Sequence, residues 1–241
     1  IRCEGDYRIP PPENEIRSNR QNNGPLLELD FDATRIALDE ALRRSLPAAS
    51  QQTWDNLWPS GVLDSLQISI RHDRTDSDLG LTIACRQYHA KRIGSDTLRL
   101  LPTALPYRLD IVEGDVRYQG GQVFIDSIRA EHGQSVVSAD GGCLQLDDGR
   151  WLLTVDVHNG SRVIPDAELT NALPEQMRGA MRGLNLRGSI GLSGLTETLL
   201  SDEQNPDPAF GWDLRLQLEG NRIGDVGPVH GLRGELSVAG Q

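Results

Sequence analysis

The sequence predicts a mainly β protein: a curved, largely antiparallel meander sheet shaped as a U-shaped groove, with short helices and a duplicated module. Three observations predict it. Residues 211–220, GWDLRLQLEG, place Trp212, Leu214, Leu216 and Leu218 on one side of an extended chain, and Asp213, Arg215, Gln217 and Glu219 on the other. That alternation recurs in about eleven segments, each with a single apolar face. Aromatic residues are only 5% of the chain and glycines number 25. Such a composition gives many turns but few large side chains to interleave two packed sheets, so a β-sandwich stands as the alternative architecture.

The strand segments follow one another along the chain. LLELDFD sets Leu27, Leu29 and Phe31 against Glu28, Asp30 and Asp32, LDSLQISIRH aligns Leu66, Ile68 and Ile70, and LGLTIACR aligns Leu79, Leu81, Ile83 and Cys85. WLLTVDVH aligns Trp151, Leu153, Val155 and Val157; LNLRGSIGL aligns Leu184, Leu186, Ile190 and Leu192; LRGELSV aligns Leu232, Leu236 and Val238. The hairpin signal is strongest in DVRYQGGQVFID. Gly120-Gly121 suits a two-residue loop with positive φ at both positions, which sets Tyr118 opposite Val123 and Val116 opposite Ile125. Short turns between such strands imply antiparallel neighbours.

Two stretches read as helical. The first is 34–47, with Ile36, Leu42 and Leu46 at helical spacing and Pro47 ending it; the second is 165–183, which Pro174 divides into two short helices. Trp54 and Trp58 fall one helical turn apart, an arrangement that fits packing of a helix end onto the first strand better than an aromatic cap over a groove. Met177 and Met181, at i and i+4, fit ordinary core better than a lipid contact. Segments 9–25 and 200–210 are polar, rich in Pro and Asn, and read as loops.

The two helical stretches superimpose with a constant separation of 127 positions: Leu42, Leu46, Pro47, Leu57 and Gly61 stand over Leu169, Leu173, Pro174, Leu184 and Gly188, while Leu66 meets Ser193. Farther on, 112–121 resembles 232–241, sharing Gly114/Gly234 and Gly120/Gly240. The expected organisation is a partial first module over 1–107 and a second over 108–241, truncated at the start of a third. The chain opens at Ile1 in strand-like text, as a piece of a longer protein would.

The net charge of −11 repels phosphate backbones, which excludes nucleic acid as the main partner. The three cysteines, Cys3, Cys85 and Cys143, have neither metal-ligand nor framework spacing. No apolar run approaches the ~18 residues of a membrane helix. The histidines His72, His89, His132, His158 and His230 lie in no catalytic motif; His132-Gly133 and His158-Asn159-Gly160 read as turns, and the acidic 140–149 segment as a solvated turn rather than a metal loop. The expectation is therefore no enzyme, no cofactor and no metal.

The passage L..LP…L….G.l…i.l.G and the hairpin region, with Gly114, Val116, Tyr118, Gly120, Val123, Ile125, Ile128, Gly133, Val137 and Gly141 in the pattern G.v.y.dg.v.l..l.a..g.s.l...G, resemble the AsmA-like and TamB-like repeat proteins of the Gram-negative envelope. The resemblance covers most of the chain. It departs in the long polar loops and in lacking the family's N-terminal membrane helix. It implies a periplasmic, non-enzymatic segment related to bridge-like lipid transfer proteins, anchored in a membrane through a part of the protein outside this fragment. The implied partners are lipid acyl chains, further repeats of the same longer chain, and inner- and outer-membrane components. The expected groove lining is Val116, Tyr118, Val123, Ile125, Leu153, Val155, Val157, Leu186, Ile190, Trp212, Leu214, Leu216, Leu218, Leu236 and Val238. The competing expectation is a structural or adhesive β-sandwich spacer of an envelope or secreted protein.

Overall fold

The computed structural model describes residues 2–7, 27–72, 79–88, 96–200, 209–224 and 228–240. The expected loop over 9–25 lies outside the described residues, as does most of that over 200–210. The element order is β1 (Arg2–Tyr7), β2 (Leu27–Leu38), α1 (Glu40–Ser45), α2 (Ala48–Leu57), β3 (Gly61–His72), β4 (Gly80–Gln87), β5 (Leu98–Leu100), β6 (Leu109–Gln119), β7 (Gln122–His132) and β8 (Ser135–Gln145). It continues with β9 (Trp151–Val163), α3 (Ala167–Ala172), α4 (Glu175–Leu184), β10 (Ile190–Leu199), β11 (Ala209–Ile223) and β12 (Val229–Gly240).

All strands belong to one antiparallel sheet in which sequence neighbours are spatial neighbours, and β1 and β12 do not meet to close it. β4 and β5 share one flank of β6, so they fill a single strand position in two pieces. Every strand's main packing is with its sheet neighbours. A single open sheet, rather than two sheets packed face to face, is what the alternation produced. The tight hairpin forms with Tyr118 opposite Val123 and Val116 opposite Ile125, over Gly120 and Gly121 at φ +58° and +77°.

Period-2 alternation is interrupted at fixed places, each time by one extra residue that returns apolar side chains to the same face. In β7 the step from Ile125 to Ile128 passes through Ser127 at φ 55°. In β9 the steps Val157–Gly160–Val163 contain two such slips, the second through Arg162 at φ 53°. His158-Asn159-Gly160, expected as a turn, is therefore one of these bulges inside β9. The expected strand over 184–192 is also corrected: α4 runs to Leu184, and β10 begins at Ile190.

The helix expected over 34–47 begins only at Glu40, because its first five residues continue β2. Ile36 and Leu38 instead pair with Leu63 and Gly61 across β3. Asp39 ends the strand and starts the helix, accepting a hydrogen bond from the Leu42 N–H at 2.9 Å, and Pro47 starts a second helix, α2. The same construction recurs 127 positions on. Asp166 caps α3 at the Leu169 N–H, Pro174 starts α4, Trp58 and Asn185 both end their helices in the left-handed region, and Gly61 and Gly188 both take φ +96°.

The duplication also explains the one mismatch in the sequence alignment. Leu66 faces Ala33, and Leu192 faces Gly160, which lies 127 positions after Ala33. β10 has one residue fewer than β3 here, so Leu192, not Ser193, stands in the place of Leu66. The sheet runs without a break through residues 107–108, since β5 and β6 pair across them.

Candidate functional site

Register, not distance along the chain, brings the apolar residues together. One row crosses nine strands: Phe31, Ile68, Ile83, Tyr118, Val123, Cys143, Leu153, Thr198 and Phe210. The next runs Ala33, Leu66, Cys85, Val116, Ile125, Gly141, Val155, Thr196, Trp212 and Gly240. A third links Ile128, Ala139, Val157, Gly194, Leu214 and Val238, and a fourth Leu98, Ile111, Ala130, Val137, Gly160, Leu192, Leu216 and Leu236. From β6 to β12 these rows hold no charged side chain. The hydroxyls among them belong to Tyr118, Thr196 and Thr198, and the Thr196 hydroxyl lies 3.4 Å from the Val155 carbonyl oxygen.

Burial along this face is graded. At the strand ends that carry the helices the face is sealed: Val163, Leu186, Ile190, Leu216 and Leu218 form a buried cluster with Leu169 of α3 and Leu184 of α4 packed on it. A second cluster, Leu98, Ile111 and Ala130, is joined by Leu38, Leu63 and Leu100. Toward the other end the face is open. Val116, Tyr118, Val123, Ile125, Leu153, Val155 and Trp212 are all half-buried, and no large side chain in the described residues is fully buried. Of the expected lining residues, Leu186, Ile190, Leu216 and Leu218 thus sit in the sealed cluster, Leu236 and Val238 pack against it, and Val157 and Leu214 are buried; the others line the open part. Leu186 reaches it from the segment between α4 and β10 rather than from a strand. The Val116 and Trp212 positions share a row and stand five strand steps apart, roughly 24 Å along the sheet.

Three devices keep the open part smooth. Trp212 lies flat over Gly240 of β12, where a Cβ would strike its ring, and it stacks on Phe210 with centroids 5.7 Å apart. Gly141 and Gly194 leave no bulk on rows where a Cβ would meet the neighbouring strand's backbone. Cys85 and Cys143 are free thiols on adjacent rows, and desolvation pushes both thiols up, so they remain neutral, weakly reactive apolar groups.

The face ends on a polar knot between β3 and β4. Asp64 and Gln87 are buried; the Gln87 side-chain oxygen accepts from the Asp64 N–H at 3.2 Å, and the Asp64 carboxylate accepts from the Tyr88 N–H at 3.0 Å. Tyr88 lies just past the end of the β3–β4 ladder, and the Asp64 carboxylate satisfies its N–H there. Sequence reading missed this pair. Its signal was an aspartate inside an otherwise apolar-alternating strand.

The first helix pair borders an open cleft of about 570 Å³ lined by Leu38, Arg43, Trp54, Asp55 and Trp58. Arg43 and Asp55 form a two-pronged ion pair, both bonds 2.7 Å, and the guanidinium hydrogen bonds hold the Asp55 carboxyl below its ordinary range. Trp54 is half-buried, but Trp58 is 61% exposed, contrary to the expected packing of that helix end. The Trp58 backbone is committed to the left-handed helix stop, which turns the ring outward. Met177 is buried and Met181 half-buried, as core residues are.

Two histidines, His132 and His158, take structural positions. His132 stacks on Tyr107 at 4.1 Å, with Nδ1 2.8 Å from the Arg108 carbonyl oxygen. His158 Nε2 lies 2.8 Å from Asp140, whose other oxygen accepts from the Ser127 N–H at 2.7 Å, so this pair ties the bulges of β7 and β9 together across β8. Among the described residues no group of His, Cys, Asp or Glu side chains is arranged to hold a metal ion, and no helix is long and apolar enough to cross a membrane. No family model, no curated protein and no solved structure matches this chain.

Proposed function

We propose that this chain is a non-enzymatic segment of an AsmA-like envelope protein whose open apolar sheet face carries lipid acyl chains. The observation that supports it is the set of apolar rows, uncharged from β6 to β12, left only partly buried over the part of the sheet that the helices do not cover. Soluble chains rarely leave contiguous apolar surface of this extent bare, and an acyl chain is a guest that needs only contact and exclusion of water. Carriage along such a face requires no acid, base or nucleophile, so the role is binding and guidance. The sequence pattern around Gly114–Gly141 is what points to the AsmA-like family, and with it to the periplasm.

The test is photocrosslinking with a diazirine-bearing fatty acid, followed by peptide mapping. Label is expected on β6–β11 at inward positions such as Val116, Ile125, Val155 and Trp212, and Val155→Asp should reduce it several-fold. Label confined to outward positions, or uptake unaffected by Val155→Asp, overturns the proposal.

A further inference from the structure

The cleft beside α1 and α2 is an aromatic, acidic recess with a rigid wall. Trp54 and Trp58 both line it one helical turn apart, and the Trp58 N–H donates to the Trp54 carbonyl at 2.7 Å. The helix end is pinned from the following segment. The Leu101 and Thr103 N–H groups donate to the Leu57 and Asn56 carbonyls at 3.0 and 2.8 Å, and Ser60 exchanges two bonds of 2.9 Å with Arg99. Trp58 is nevertheless 61% exposed. Its backbone stands in the left-handed region, at φ 45° and ψ 56°, which bulky side chains disfavour and asparagine tolerates. The second copy places Asn185 at this same stop, also left-handed. A large, strained, solvent-facing indole thus occupies a position where asparagine serves the fold.

The charged part of the lining is unbalanced. Asp39, Glu40 and Asp55 border the cleft together with one guanidinium, Arg43. Arg43 is engaged on all three nitrogens: Nε and Nη2 donate to Asp55 at 2.7 Å each, and Nη1 donates to Glu40 Oε1 at 3.3 Å. Arg44 Nε donates to that same Glu40 oxygen at 3.0 Å, and Asp39 Oδ1 accepts from the Leu42 N–H at 2.9 Å. The second oxygens of Asp39 and Glu40 take no hydrogen bond from the described residues. Even with Arg44 counted, three carboxylates stand against two guanidinium groups. Only Asp39 recurs in the second copy, as Asp166; Glu40, Arg43, Trp54, Asp55 and Trp58 give way there to Ala167, Thr170, Met181, Arg182 and Asn185.

We propose that this cleft binds a quaternary ammonium group, which packs its methyls against Trp54 and Trp58 while Asp39 and Glu40 offset its charge. An indole attracts such a cation through the ring quadrupole, and the recess of about 570 Å³ admits it. An anion would meet the excess of carboxylates and find the Arg43 fork already taken. A purely apolar guest would desolvate those carboxylates without compensation. The net charge of −11 adds to the attraction for cations. The proposal does not depend on the acyl-chain reading, because the site is built from the first helix pair and not from the apolar rows of β6–β12.

The test is nuclear magnetic resonance of the four tryptophan indole N–H signals during titration of the chain with choline. Dimethylbutanol, the uncharged carbon analogue of choline, serves as the control at constant ionic strength. Saturable shifts of the Trp54 and Trp58 signals are expected with choline and not with dimethylbutanol. Trp58→Asn, which installs the second-copy residue, should weaken binding about fivefold or more while melting stays at or above that of the parent. Asp39→Asn keeps a competent helix cap and should weaken binding about twofold or more. Flotation with phosphatidylcholine vesicles that is lost in Trp58→Asn supports the site with a lipid headgroup as the source; choline binding without flotation supports it with a free solute. Absence of saturable shifts, equal shifts with dimethylbutanol, shifts confined to Trp151 or Trp212, or choline binding unchanged in folded Trp58→Asn each overturns the proposal.

Discussion

The two helix pairs share one backbone and are held by different forces. α3 and α4 bury Ala172 and Met177 and pack Leu169 and Leu184 onto the sealed cluster of β9–β12. Among the described side chains of α1 and α2 none is buried; Leu57 is 40% and Trp58 61% exposed, and the two helices are tied to each other by the Arg43–Asp55 ion pair. Ser50 and Trp54 stand where the second copy has Met177 and Met181. Caps, the helix-starting prolines and the left-handed stops thus suffice to specify the helix–turn–helix path; burial attaches the second pair to the sheet, while in the first copy charge ties the two helices to each other. Burial closes the apolar face at β9–β12, whereas an open cleft remains beside the ion-paired helices of the first copy.

The largest expected contrast comes from matched truncations. Met177→Ala should cost about 2–5 kcal/mol in urea unfolding. Ser50→Ala, at the equivalent exposed position, should stay within about 0.5 kcal/mol. Equal effects would show that the first pair is also held by burial. Next come the paired glycines. Both sit at φ +96°, where an L side chain is strained by about 1–2 kcal/mol. A Cβ on Gly61 would land on the Thr97 carbonyl oxygen, in the backbone, whereas on Gly188 it would meet a side-chain atom, the Asn221 amide nitrogen, at 3.0 Å. Gly61→Ala should therefore lower the melting temperature more than Gly188→Ala, and the reverse order would contradict the backbone approach.

Cap removal should treat the copies alike. Asp39→Ala and Asp166→Ala are each expected to cost about 1 kcal/mol, with the loss seen as faster amide exchange in the first turn of α1 or α3. The smallest effect belongs to the bulge tie between the copies. The Asp140 hydrogen bond raises the His158 imidazole above its ordinary value, and that same bond, with the Ser127 N–H, lowers the Asp140 carboxyl. The raised histidine contributes below pH 6.5 and loses its contribution as pH rises through its folded value; the lowered carboxyl contributes above pH 3.8 and loses it as pH falls. The melting difference between the parent and His158→Gln should thus peak near pH 5–6 and vanish at about pH 9, and a pH-independent difference would remove the tie from the account.

Much of this was legible in the residues. Side-chain alternation gave the strands, Gly120-Gly121 gave the hairpin with its register, and the repeated Leu-Pro phrase gave the duplicated helix pair. The lining residues were legible as apolar, yet not as open or sealed, because exposure depends on what the helices cover. The one-residue slips were also hidden. His158-Asn159-Gly160 has turn chemistry, and only the pairing of β9 with β8 and β10 shows that the strand continues through it. Ile36 has helical spacing to its neighbours, but its pairing with Leu63 holds it in β2. The Asp64–Gln87 pair joins residues distant in sequence, which no local pattern reports.

By itself the sequence determined which elements form and which side of each strand is apolar, since alternation, caps and turn residues act over a few neighbouring positions. The tertiary structure decided how those sides combine: which rows align across the sheet and where helices seal them. Those outcomes depend on the summed register of successive strand pairs. A single extra residue in one strand displaces the register of its pairing, and that is settled only when the whole sheet is assembled.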